Sequence, residues 1–140
     1  MRHLSSIARV MAIASLVAAG CAAQGAPALR SILKGASSNI DSPRQAVART
    51  QAEWSALWKA HDFDQPEPRV DFSREMVVAV FMGGRPTAGF AVEITSVADG
   101  VVTYRETVPA AGGITAQVLT APFHIVAVPK QAGTLKFSKS

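Results

Sequence analysis

The sequence predicts an α+β fold, with one N-terminal helix packed on a largely antiparallel β-sheet. Three observations predict it. A capping box at Thr50 opens a segment with apolar residues at helical spacing. Met76–Met82 is apolar on both of its alternate sets. Period-two stretches separated by Gly and Pro turns then continue to Phe137.

Ser31–Lys34 and Gln45–Arg49 are short strand candidates, separated by Ser37, Ser38, Asn39, Asp41, Ser42 and Pro43, residues that favour turns. In Thr50-Gln51-Ala52-Glu53 the threonine hydroxyl can accept from the Glu53 amide while the Glu53 side chain reaches back. Trp54, Leu57, Trp58 and His61 follow on one helical face, which marks the tryptophans as core residues. Pro66 and Pro68 stop the helix, placing its end near His61.

Met76–Met82 predicts a central strand covered on both sides, and Phe90, Val92 and Ile94 a half-buried one. Asp99-Gly100 predicts a hairpin into Val101–Val108. Gly112-Gly113 marks the next turn, followed by strands at Ile114–Thr120 and Phe123–Val128, with Leu135–Phe137 closing the sheet.

The chain has 140 residues, 49% of them hydrophobic, enough for one ordinary domain and too apolar for disorder. Its net charge is +4, but the basic residues are spread singly, so no nucleic-acid partner is expected. A single cysteine excludes an internal disulfide and any multi-cysteine metal site.

Residues 1–20 read as a signal peptide: Arg2 and Arg9 precede the uncharged run Val10–Gly20, which is too short to span a bilayer. Leu16-Val17-Ala18-Ala19-Gly20-Cys21 resembles the lipobox of bacterial lipoproteins, which implies that Cys21 becomes an acylated mature terminus. Several acyl chains would make a permanent tether. The expected organisation is therefore a signal peptide over 1–20, the acylated Cys21 with a flexible tether over 21–29, and a single domain over 30–140. The expected location is the cell envelope, at the outer membrane where the cell has one.

Four further motifs, in order, resemble one family. They are Gln51-Ala52-Glu53-Trp54 with Leu57-Trp58, then Val70-Asp71-Phe72 leading into Met76–Phe81. Gly84-Arg85-Pro86-Thr87-Ala88-Gly89-Phe90 and Ala121-Pro122-Phe123-His124-Ile125-Val126 complete the set. Over residues 45–137 they look like the C-terminal domain of the PrcB family, named for a subunit of a surface protease complex. The resemblance implies a non-enzymatic accessory or stabilising role beside a secreted or surface protease. It assigns no catalytic residue, metal, cofactor or small-molecule ligand.

The chemistry of the residues agrees with that expectation. No serine sits in a nucleophile elbow, and His61 and His124 are the only histidines of the expected domain. His61, at a helix C-terminus, is expected to have its positive charge favoured by the dipole, and His124 to be a hydrogen-bonded structural residue. His61, Asp62, Asp64 and His124 offer metal-type ligands, although a polar loop after the helix explains them as well. Glu67 and Asp71 flank Arg69, which suggests simple charge pairing.

Arg85, Pro86, Thr87, Gly89 and Phe90 form the candidate partner-binding loop. Arg85 offers a charged fork, Phe90 an aromatic face, Pro86 a restricted backbone and Gly89 access to positive φ. The same loop faintly resembles the wedge of chagasin-like protease inhibitors, which gives an inhibitor as the alternative function. A plain hairpin connection with Phe90 in the core accounts for these residues too.

Overall fold

The computed structural model describes residues 28–140. The signal peptide, Cys21 and most of the tether lie outside the described residues. Seven strands and one helix follow in the order β1 (Arg30–Gly35), β2 (Arg44–Ala48), α1 (Gln51–Asp62), β3 (Glu75–Phe81), β4 (Ala91–Ala98), β5 (Val101–Thr107), β6 (Phe123–Pro129) and β7 (Lys136–Lys139).

The fold is mostly β, and this corrects the α+β expectation. Two strands precede α1, so the helix is mid-chain rather than N-terminal, and the strands form two sheets rather than one. The first sheet has the order β1-β6-β3-β2, antiparallel throughout. The second has the order β4-β5-β7, with β5 and β7 parallel.

The physical reason for two sheets lies in β3 and β6, whose residues are buried on both faces apart from their ends. Successive side chains of a strand point to opposite faces, so each strand needs two covers. Val77, Ala79, Phe81, Phe123 and Ile125 pack under α1 with Trp54, Leu57 and Trp58. Met76, Val78, Val80, Val126 and Val128 pack against Val92, Ile94, Val97 and Val102 of the second sheet. One short helix covers one face, and the second sheet supplies the other.

The helix cap and the tryptophan core hold as expected. Thr50 caps α1 by accepting from the Glu53 N–H at 3.2 Å, and its own hydroxyl donates to Glu53 Oε1 at 3.2 Å. Trp54 and Trp58 are core residues whose indole N–H groups donate to the Pro68 and Gln65 carbonyls, each at 2.9 Å. Those two bonds fold the proline-rich loop back along the helix. Glu67 accepts from Gln51 and Ser55 of α1, and Asp71 accepts from Ser73 and pairs with Arg74. The charge pairing expected around Arg69 is thus replaced by helix and turn contacts.

In the second half, Asp99 (φ 53°) and Gly100 (φ 76°) both adopt positive φ, the conformation of a type I′ turn joining β4 to β5. Ile114–Thr120, expected as a strand, is instead an irregular segment with a single bridge between Thr120 and Arg85. Its apolar side chains face solvent: Ile114 is 103% exposed and Leu119 87%. Without a buried face there is nothing to hold the segment in a sheet.

Candidate functional site

Three segments converge at one end of the molecule. The first crossover, residues 82–90, carries the chain from β3 in one sheet to β4 in the other. The second crossover, residues 108–122, carries it back from β5 to β6. The β1–β2 loop lies beside them.

Backbone bonds fasten the three together. Arg85 and Thr120 exchange N–H···O bonds at 2.7 and 2.9 Å, and the Ala88 N–H donates to Ala116 at 3.0 Å. The Thr120 hydroxyl donates to the Thr87 carbonyl at 2.9 Å. Gly84 donates to the Asp41 carbonyl and Ala121 to the Ala36 carbonyl, both at 2.8 Å. Gly89 has the positive φ (94°) expected of it, and a Cβ there would lie 2.9 Å from Pro109 Cγ, so glycine lets the two crossovers touch.

These segments enclose a cleft of about 470 Å³, within the range of ligand sites. Ala36, Ser37, Ser38 and Asp41 form one wall, Gly84, Arg85 and Pro86 the second, and Leu119, Thr120 and Ala121 the third. The sequence pointed to the second wall alone. The hydroxyls and carboxylate of the first read only as turn formers, and Leu119 as a strand residue.

Arg85 is half-buried with its guanidinium carbon 5.5 Å from the centre of the Phe90 ring, a cation–π contact. Its Nε is closed off from solvent and has no hydrogen-bond partner among the described residues. Phe90 itself packs against the core between the sheets. The expected pairing of a charged fork with an aromatic face is therefore present, but Phe90 supports Arg85 from behind rather than projecting. Pro86 and Gly89 are exposed, while Thr87 is half-buried and donates to the Ala88 carbonyl. The loop is a crossover between sheets, not a hairpin within one.

On the outer side of the second crossover, Val108, Ile114, Val118 and Leu119 are exposed apolar residues. Leu119 also lines the cleft, so apolar surface continues from the loop into it.

The two histidines lie on opposite faces of the first sheet. His61 is 1% exposed, with its ring 4.2 Å from that of Phe123 and 5.1 Å from that of Trp58. Its Nδ1 lies 2.8 Å from the Ser38 hydroxyl. Burial lowers its pKa, and Asp62 only partly opposes this. The expected favouring of its cation by the helix dipole is overturned, because removal from water outweighs a partial charge. His124, 4% exposed, is the hydrogen-bonded structural residue expected, bonded to Ser31 and to the Ile94 N–H. Among the described residues no three His, Cys, Asp or Glu side chains are grouped to hold a metal.

No curated protein and no solved structure matches the chain at a significant level. Residues 76–129 match the family model described as PrcB C-terminal. The match is narrower than the span of resembling motifs, leaving those around Trp54 and Val70 outside it. It takes in β3 through β6, both crossovers and two of the three cleft walls. Over that stretch, the chain is similar to the PrcB C-terminal family.

Proposed function

We propose that this chain is a lipid-anchored, non-enzymatic protein-interaction domain of the cell envelope, acting as an accessory subunit of a surface or secreted protease complex. The family match supports the protease setting. The observation that carries the interaction reading is the exposed apolar side of the second crossover, which runs into the cleft beside Arg85. Exposed apolar residues grouped on one segment mark contact surfaces, and arginine is enriched where such contacts are strong. Cys21 is the anchor in this reading, and the outer membrane its site where the cell has two membranes.

Capture from solubilised envelopes with the tagged full-length chain tests the partner. The expected result is co-purification of a protease that keeps its turnover, lost on Leu119→Asp or Ile114→Asp. A protease that stops turning over at a one-to-one ratio would instead make the chain an inhibitor. For the anchor, Cys21→Ser is expected to move the protein out of the membrane fraction, and unchanged fractionation would overturn it.

A further inference from the structure

We propose that the cleft at the crossover end binds the C-terminal carboxylate of a peptide, with Arg85 as the cation that meets it. The proposal rests on the interaction-domain reading and names the group that this end of the molecule recognises.

Arg85 stands apart from the arginines that form ion pairs. Arg30 bonds Glu75 at 2.9 Å, Arg105 bonds Glu93 at 2.8 Å, and Arg74 lies 3.8 Å from Asp71. Those three side chains are largely exposed, where pairing matters least. Arg85 is half-buried, yet its guanidinium makes no hydrogen bond or ion pair among the described residues. A guanidinium that lines a cleft with no anion paired to it gains from an oxyanion supplied from outside. Phe90 already holds the guanidinium in place, so little ordering is left for the ligand to supply.

The other walls select the anion. Asp41 lines the same cleft, which disfavours a doubly charged phosphate but suits a single carboxylate followed by an amide N–H. Leu119 and Ala121 offer apolar surface to the side chain of the same residue. A chain terminus carries carboxylate, side chain and N–H on one residue, within the roughly 3.5 Å that one residue spans. A cleft with cationic, apolar and acceptor walls in one small volume fits such an end. An internal glutamate would set its carboxylate away from the backbone and require two exits for the chain.

The test is fluorescence anisotropy with the full-length protein in detergent micelles and a labelled hexapeptide ending in leucine. The free acid is expected to bind at least about tenfold more tightly than the same peptide with a C-terminal amide. Arg85→Gln should abolish that preference without moving the unfolding midpoint. Leu119→Ser, at an exposed position, should weaken the free acid severalfold, and it serves as the check if Arg85→Gln does not fold. Equal binding of acid and amide would overturn the proposal, as would an amidated peptide with an internal glutamate binding as tightly as the free acid. Protease capture without any peptide binding would overturn this inference and leave the interaction reading standing. Peptide binding without protease capture would do the reverse.

Discussion

The Ile94 N–H donates to Nδ1 of His124 at 2.8 Å, a bond that runs from the second sheet to the first. A backbone N–H can only donate, so Nδ1 is unprotonated and the ring proton sits on Nε2, which faces the Ser31 hydroxyl at 2.8 Å. Ile94 adjoins the bulge in β4, and His124 lies in the middle layer. One neutral imidazole thus joins β4, β6 and the edge strand β1.

Protonating that ring removes its acceptor. Burial lowers the pKa of His124 from 6.5, the Lys34 charge lowers it further, and Glu93 opposes. The His61 pKa is also lowered by burial. The unfolded chain therefore binds these protons first, and stability rises with pH between the depressed folded values and 6.5. Both contributions are complete above pH 6.5 and are lost as the pH falls through the folded values. Urea midpoints measured from pH 7.5 down to 5 should fall, with a shallower slope in His124→Gln. An unchanged slope in that variant would remove His124 from the account.

Ser38→Ala is expected to cost about 1–3 kcal/mol. The Ser38 hydroxyl accepts from the Ile40 N–H at 3.1 Å and lies 2.8 Å from His61 Nδ1, so its loss leaves two polar groups without partners beneath α1. Urea denaturation at pH 7.5 measures it, and a change below about 0.5 kcal/mol would show that water replaces the hydroxyl.

Thr50→Ala should destabilise by about 1 kcal/mol through loss of the helix cap, and Thr50→Ser by much less. Equal midpoints for the wild type and the alanine variant would contradict the cap.

Gly89→Ala puts a Cβ 2.9 Å from Pro109 Cγ at φ 94°, so strain of about 1–3 kcal/mol is expected together with separation of the two crossovers. Faster amide exchange at Ala88 and Thr120 would show that separation, because their bonds join the crossovers. A folded variant with unaltered exchange at both would mean that the contact is not what holds them.

Much of the fold is legible because its signals are local. Thr50 and Glu53 lie three residues apart, the α1 face repeats within one segment, and Asp99-Gly100 makes its own turn. The division into two sheets is not local. Val92 and Ile94 show the same alternation whether they pack beside β3 or across from it, and only the double burial of β3 and β6 called for a second cover.

The candidate site was legible in part for a related reason. Arg85, Pro86 and Phe90 stand together in sequence, but Ser37, Asp41 and Leu119 join them only when three distant segments meet. Apolar composition at Ile114–Thr120 signals burial, whereas Ile114 and Leu119 are in water. Periodicity cannot distinguish a side chain that needs the core from one held out for a partner.

The pairing of β1 with β6 sets the order in which the molecule can be completed. Ser31 and His124, which meet across that pair, are 93 residues apart in the chain. A polypeptide made from its amino end must hold β1 unpaired until nearly everything else has emerged. Until then β3 also lacks its inner neighbour, leaving a dry two-sided strand open to chance association. Such distant closures are slow, on the order of milliseconds to seconds for β-rich domains. The arrival of β6 is the event that ends this vulnerability, so the chain's hazard lies in its unfinished form, where holding factors would act.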